Sequence, residues 1–590
     1  MRRPAVLPVL LLSLALAAPA AAQAPPQTIP AEPGPGLTTP CGGRAITTDQ
    51  VITGEFGTNV NKDYVLLPFN VAKGTTAVRV KYCWDRPESG TMRHTLDLGL
   101  YGPRRDGANL WGEREFRGWG GSSHPDVTLS AEGFSTEAQY TASPRVEVPG
   151  KTTRGFIPGP INPGKWAVEL GVGAVIAQSE GDANGKVAWR VEIDLSDDPS
   201  YADEPYKPAP YDSSPARAKG GWFAGDMHVH AEHSNYGAAT MTESFDYAFK
   251  PLAEGGAGLD FITLSDYVSG YPAWNEIGRY QSQHPDNLVI RSDEVITYKG
   301  HTNNHASAKF VDYRTTPVYE RVANKSLKLL SGGRDPRDIF REVHEAGGWT
   351  QINHPQIFPP TTPASAAACR GCFWEYSDAQ TDYSQLDALE IATGPWNFGG
   401  NPNPFTTLAI QEYERLLGLG YKIAAVGSSD SHDAGVVSGG LDAPIGQATT
   451  VVRARELSEA GIRCGVQAHH TYVKVTGNAG PDLRFSGRPW GPNTERAIVG
   501  DTIHAWGAKF RARVLGGAGD TLLVVENGQT VATVPIPDDD FVHEFHGVGN
   551  GRWRLQVMSG RLIQTVSSPI WIEEGYGPWS WVDRKPCRRS

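Results

Sequence analysis

The sequence predicts a multidomain protein in which a central α/β domain, with a mostly parallel sheet that is open or closed into a barrel, is flanked by two β-sandwiches. Three observations carry this reading. Residues 45–196 contain short alternating apolar runs, such as "DYVLLPFNV" and "VAWRVEIDL", separated by Gly, Pro and Asn, the pattern of a sandwich or jelly roll. From 222 to 475 apolar strands alternate with polar loops and helical stretches, which implies strands joined by helices. Alternating runs return over 476–575 and make a second sandwich.

Residues 1–22 carry an arginine pair, an apolar run and a small-residue close, the layout of a cleaved secretory signal. A Pro-rich stub (23–44) precedes the first sandwich. The stretch 197–221, rich in Pro and charge and without strand or helix period, reads as a linker. In the central domain "WFAGDMHVH", "LDFITLSD", "NLVIRSDEV", "HASAKFV", "WTQINHP", "LDALEIATG" and "YKIAAVGSSDSH" are the expected strands. Within the second sandwich "ENGQ" reads as a tight hairpin connection, and 576–590 is a tail.

Losing Arg2 and Arg3 with the signal takes the formal charge from −11 to −13, and no basic block occurs anywhere. That argues against nucleic acid or an anionic membrane as partner. No later apolar run is long enough to span a bilayer, so the expectation is a soluble protein, secreted or periplasmic. Six cysteines in such a compartment point to disulfides. "CRGC" at 369–372 sits in a loop-like stretch and reads as a structural staple rather than a redox motif. Its loop, 356–385, is expected on the rim of the pocket, where it would help set substrate size.

In the central domain almost every expected strand stops on a residue able to bind a metal: His228 and His230, Asp266, Glu294 followed by His301, His354, Glu390, and Asp430 with His432. The carboxyl ends of parallel strands open on one side, where such folds build their sites. Residues i and i+2 of a strand share a face, so His228/His230 and Asp430/His432 each present a chelating pair. Taken singly, a His or Asp after a strand is more often a cap or a surface residue. Glu390 has the alternative of bonding neighbouring backbone, and His284, His344, His469 and His470 are expected to face solvent. The joint occurrence of "HVH", "SDEVITYKGH", "INHP" and "SSDSH" in one domain outweighs the single-residue alternatives. Glu294 is suited to bridge two ions, and the absence of cysteine from the set favours Zn, Mn or Fe. Ions held there would lower the pKa of a bound water to about 7 and stabilise an oxyanion.

These residues, in this order, resemble the PHP (polymerase and histidinol phosphatase) superfamily, and more closely its carbaryl-hydrolase-related branch. "GDMHVHAEHS" is similar to that family's G-D-x-H-x-H-x-x-x-S, "ITLSDY" to its T-D-H motif and "DEVITYKGHTNNH" to its Glu-to-Gly-His stretch, with "INHP" and "VGSSDSHD" supplying the rest. The resemblance covers about 222–475 and neither flanking domain. It implies a distorted seven-stranded (β/α) barrel with two or three metal ions that hydrolyses phosphate esters or, in the carbaryl branch, carboxyl or carbamate esters. It further implies His228, His230, Glu294 and Asp430 around a first ion, with Glu294 bridging to a second held by His301 and His354. His432 would normally help hold a third. Here the chain departs from the pattern, because Tyr267 follows Asp266 where many members have His, and a neutral phenol is a poor ligand. His233 is the candidate to compensate for that change; otherwise the site holds two ions and His432 serves the substrate as a general acid. His305 is a weaker candidate for the second ion and, on an outgoing strand, can equally point into the packing.

Two readings of function are compatible with these residues. The first is an exported metal-dependent hydrolase acting on a small-molecule or polymer ester substrate, with Asp430 and His432 as its catalytic pair. The second is a degenerate barrel in a cell-envelope or carbohydrate-binding protein, supported by Tyr267 and by the aromatics of "NLWGEREFRGWGG", which can equally be hairpin packing.

Overall fold

In the computed structural model, the described residues are 28–29, 34–42, 48–89, 92–142, 148–234, 238–268, 271–307, 309–361, 368–491, 495–573 and 581–583. The expected signal over 1–22, and all but 581–583 of the tail, lie outside them.

The N-terminal strands form two facing sheets. One has the order Gln50–Gly57, Lys186–Ser196, Ala77–Trp84, Asp126–Ser130. The other runs Thr28–Ile29, Leu327–Ser331, Val318–Arg321, Tyr64–Val71, Gly164–Ala174, Thr95–Tyr101, Phe116–Gly121. Alternate residues point inward, and Val65, Leu67, Val78, Val80, Trp166 and Trp189 fill the space between the sheets. Each such side chain, fully buried, contributes about 1.5–3 kcal/mol of apolar transfer. Two strands of this sheet come from inside the central segment: Val318–Glu320 pairs in parallel with Tyr64–Leu66. A division at 222 does not anticipate that exchange, because "VYER" and "LKLLS" are too short and too charged to announce a strand.

The central domain supplies β1 (Gly221–Val229), β2 (Phe261–Leu264), β3 (Leu288–Thr297), β4 (Gly300–His305), β5 (Trp349–Ile352), β6 (Ala388–Ala392) and β7 (Ala424–Gly427). They are hydrogen-bonded in sequence order. β1 to β3 and β5 to β7 pair in parallel, whereas β4 runs antiparallel to both neighbours. The strand expected at "HASAKFV" therefore lies earlier: β3 turns directly at Tyr298 and Lys299, and the return strand begins at Gly300. "GHTNNH" carries no apolar residue, yet every position in it is buried, which is why hydropathy passes over it.

The two ends of this run approach each other. Val229 and Ser431 form a parallel bridge, Asp430 N–H donates to the His228 carbonyl (2.9 Å) and His230 N–H to the Ser431 carbonyl (2.9 Å). The helices are α1 (Met241–Phe249), α2 (Tyr271–Gln281), α3 (Pro336–Glu345), α4 (Pro404–Gly418) and α5 (Glu459–Gln467), of which α1, α4 and α5 start on side-chain caps. Thr240 with Glu243 makes a capping box, and Asn403 and Ser458 accept from the first turns of α4 and α5.

Beyond β1 the sheet continues through β8 (Thr449–Ala454) and β9 (Thr471–Lys474) to Leu562–Ser567. The C-terminal sandwich thus shares a sheet with the central domain. Its other sheet runs Ala497–Ile498, Asp482–Pro489, Gly507–Leu515, Asp540–Val548. The hairpin expected at "ENGQ" is present: Glu526 pairs with Gln529, and Asn527 (φ 50°) and Gly528 (φ 85°) take the two left-handed positions that a two-residue turn requires. Cys41–Cys83 and Cys369–Cys372 are disulfides, and no cysteine among the described residues is free. No helix among the described residues is long and apolar enough to cross a membrane.

Candidate metal centre

The carboxyl ends of β1, β3 and β7, the first residues of β4 and the turn after β5 meet around one carboxylate. Glu294 Oε1 lies 3.4 Å from His228 Nε2, 3.2 Å from His301 Nδ1 and 3.3 Å from His354 Nε2, and Oε2 lies 3.5 Å from His230 Nε2. Asp430 Oδ1 is 3.3 Å from His228 Nε2 and 3.1 Å from His230 Nε2. His354 and Asp430 have left-handed backbones (φ 26° and 57°); such unusual conformations concentrate at functional sites. Two ligand groups emerge: His228, His230, Glu294 and Asp430, and beside them His301, His354 and Cys372. The sulfur of Cys372 is bound to Cys369, which leaves the two imidazoles and the shared Glu294.

Hydrogen bonds on the far side of each ring decide where its proton sits. His354 Nδ1 faces the Cys372 carbonyl (3.2 Å) and His301 Nε2 the Arg370 carbonyl (3.3 Å); a carbonyl only accepts, so both of those nitrogens carry hydrogen. Ser234 Oγ donates to Asp266 Oδ1 (2.5 Å), so it accepts from His230 Nδ1 (2.8 Å). His228 Nδ1 lies 3.4 Å from Glu390 Oε1. In the neutral rings of His230, His301 and His354 the remaining nitrogen is therefore bare, and those three nitrogens, with His228 Nε2, point at Glu294 or Asp430. Lone pairs facing carboxylates at 3.1–3.5 Å repel unless a cation lies between them. Donors about 2.1 Å from a common ion are about 3.0 Å apart at right angles and about 3.4 Å apart in a tetrahedron. The His228 and His230 Nε2 atoms, 3.1 Å apart, fall in that range. The donor set fits divalent ions.

Electrostatics agree with this arrangement. Burial opposes the charge on Glu294, but His228 and His301 hold its carboxyl well below the usual range, and Asp430 is likewise depressed, chiefly by His228. Burial lowers His228, yet Asp430 and Glu294 raise it well above the usual imidazole value. Burial and the neighbouring His432 push His230 down to about 4. In this setting protons and cations compete for the same nitrogens.

The other expected residues have distinct places. Asp266 is no neighbour of the cluster; it accepts from Ala231 N–H (2.7 Å) and orients Ser234. Glu390, fully buried, accepts from His354 N–H (2.5 Å) through Oε2, while its Oε1 lies beside His228 Nδ1. Tyr267 hydroxyl sits 2.6 Å from His432 Nε2, whose ring stacks on His230 at 4.2 Å. His233 faces the N-terminal sandwich: its Nδ1 accepts from Gly155 N–H (3.1 Å) and Phe134 stands edge-on to it. His305 packs on Trp349 and bonds Ser292 and Gln351, away from the cluster. His469, expected at the surface, is buried, and His344 and His470 pair with Asp387 and Asp501.

Sequence reasoning did not find three contributors. Ser234 stood in the opening motif without a role, although it follows His230 by one turn. The Arg370 and Cys372 carbonyls have no side-chain signature. The N-terminal sandwich reaches the mouth of the site with Trp119, whose ring lies 6.0 Å from that of Tyr267, and with Arg154, 3.5 Å from Glu232. The aromatics of "NLWGEREFRGWGG" are packing: Trp111, Phe116 and Trp119 are all buried.

No family model matches the sequence, and no curated protein matches it. Among solved structures, it is similar to a two-domain protein containing a predicted PHP-like metal-dependent phosphoesterase from Bacteroides vulgatus. The identity is 14%, over 62% of this chain and 99% of that one, with a TM-score of 0.31. It is also similar to the lesion-specific endonuclease PfuEndoQ from Pyrococcus furiosus, with 14% identity over 42% of this chain and 56% of that one and a TM-score of 0.25. At this level of similarity function has to be argued from the site.

Proposed function

We propose that this protein is an exported metal-dependent hydrolase of ester bonds, related to the PHP superfamily and its carbaryl-hydrolase branch, with the curled central sheet as a distorted barrel. One observation carries the proposal: three imidazoles, of His230, His301 and His354, whose outward nitrogens are tied to acceptors turn their bare nitrogens, together with His228 Nε2, onto Glu294 and Asp430. His228, His230, Glu294 and Asp430 would hold one ion, and Glu294, His301 and His354 a second, with Zn, Mn or Fe as the suited metals. Such ions supply Lewis acidity and a water acidic enough to act as nucleophile near neutral pH.

The chain's own residues do the rest. Glu294 keeps the two half-sites in register. The Asp430 side chain, 31% exposed where the histidines are closed off, marks the face from which substrate enters. The Tyr267 hydroxyl and His432 Nε2 lie 2.6 Å apart there and are the pair that would protonate a leaving oxygen. With Tyr267 occupying the nitrogen that a third ion would need, the site is read as dinuclear. Phosphate monoesters, phosphodiesters, carboxyl esters and carbamates all suit this machinery. The acidic chain argues for a small-molecule or polymer ester rather than nucleic acid or membrane as substrate or partner. Nothing supports the alternative of a carbohydrate platform at 110–121, because its aromatics are buried.

The test is elemental analysis of the purified protein with hydrolysis of p-nitrophenyl phosphate, bis(p-nitrophenyl) phosphate and p-nitrophenyl acetate before and after chelation. The expected result is two ions per chain and one ester class whose turnover is lost on chelation and restored by metal. A chain that takes up no divalent ion refutes the proposal.

A further inference from the structure

The loop closed by Cys369 and Cys372 lies against the second half-site with its backbone rather than its side chains. Its Arg370 carbonyl faces His301 Nε2 at 3.3 Å and its Cys372 carbonyl faces His354 Nδ1 at 3.2 Å. Gly371, between them, has φ 85°, and a Cβ there would lie 2.1 Å from the Thr297 carbonyl oxygen, so the loop sits flush on the end of β3. Downstream the chain is pinned: Trp374 N–H donates to the Pro355 carbonyl (3.0 Å) and Glu375 N–H to the Lys299 carbonyl (2.7 Å). The disulfide carries that anchorage back across Arg370, the residue that addresses His301.

We propose that the Cys369–Cys372 disulfide is a positioning element of the metal centre: it holds two backbone carbonyls over His301 and His354 and so fixes which nitrogen of each ring faces Glu294. The inference rests on the metal reading above. Its physical content is tautomeric. With the carbonyls in place, His301 presents Nδ1 and His354 presents Nε2 to the shared carboxylate, and neither ring has to turn when a cation arrives. If the loop is released, the outward hydrogens lose their acceptors, and each ring is free to place its proton on the nitrogen beside Glu294, where it excludes the ion. Partners of this kind are worth about 10- to 100-fold in metal affinity. The first half-site is oriented instead by Ser234 and Glu390, so it should not respond.

The experiment is Mn²⁺ titration by calorimetry of the chelator-stripped full chain, comparing wild type with C369S/C372S and with G371A. The glycine variant keeps the disulfide but forces the loop off Thr297, so it carries the test if the double variant fails to fold. Circular dichroism checks that each variant is folded. The expected result is two binding events in the wild type, of which the variants keep one within about 3-fold and weaken the other about 10- to 100-fold. Two unchanged events in a folded variant, or equal weakening of both, would overturn this inference and leave the metal reading standing. A wild type that binds no ion would overturn both.

Discussion

Replacing Ser234 by Ala removes one oxygen from the chain of contacts that sets the His230 tautomer and leaves every carboxylate and imidazole in place. Ser234 is buried; its Oγ accepts from His230 Nδ1 at 2.8 Å and donates to Asp266 Oδ1 at 2.5 Å. In S234A the hydrogen on Nδ1 either stays without an acceptor, at about 1–3 kcal/mol for a buried unpaired donor, or moves to Nε2. There it would lie towards Asp430 Oδ1, 3.1 Å away, on the nitrogen that the cation needs. The first route penalises the free and the loaded protein alike; the second, in which the proton must be moved off Nε2 at up to that cost, weakens cation binding by about 5- to 150-fold. Asp266→Asn is the control. Ala231 N–H and Ser234 Oγ both use Oδ1, and the amide oxygen can replace it there, so D266N should weaken binding less than S234A does. Calorimetric titration of the stripped protein with Zn²⁺ or Mn²⁺ reads both variants. Binding by a folded S234A within about 2-fold of wild type, below the expected range, would refute the tautomer argument, as would a D266N more damaged than S234A.

Tyr267→Phe deletes the hydroxyl 2.6 Å from His432 Nε2; kcat on the cognate ester should fall on the order of 100- to 10,000-fold with the metal content unchanged, and a loss of metal would instead make Tyr267 a ligand. Asp97 is buried beneath the Tyr298 hydroxyl (2.6 Å), and burial raises its pKa to about 6. Its folded-state value exceeds the unfolded one, so its contribution to stability is full below pH ~4 and is lost as pH rises through about 6, a change of about 3 kcal/mol. D97N should therefore unfold at a higher temperature than wild type at pH 8 and lose that advantage towards pH 4.5 in scanning calorimetry; parallel pH curves would refute it. Gly528→Ala should destabilise the C-terminal hairpin by about 1 kcal/mol, because φ is 85° there. A denaturation midpoint equal to that of wild type would contradict this.

Strand-end placement makes the convergence of the candidates legible in the sequence, and the resemblance supplies the grouping of the first half of the site. His228 and His230 are two apart at the end of a strand, Glu294 and Asp430 lie towards the ends of strands of the same sheet, and parallel strands open their carboxyl ends on one side; those rules direct all the candidates to one face without choosing among them. They are silent on β4. Glu294 and His301 are joined by a two-residue turn, and an antiparallel return strand made of "GHTNNH" has no apolar alternation to announce it. Its burial becomes intelligible only through its partners: Asn303 donates to the Met227 carbonyl, and His305 bonds Ser292 and Gln351, so the polar side chains that hydropathy assigns to a loop are the braces beneath the metal ligands. The same limit explains why the sequence leaves His305 and Asp266 open between ligand and support. Residue type says what a side chain is able to bind, whereas the choice between binding a cation and orienting the residue that does depends on the direction of one bond. For Asp266 that direction is set by Ser234, and for His301 and His354 by carbonyls that any residue would supply. Hydrogen-bond acceptors behind the rings, more than the rings themselves, separate a metal centre from a cluster of buried histidines.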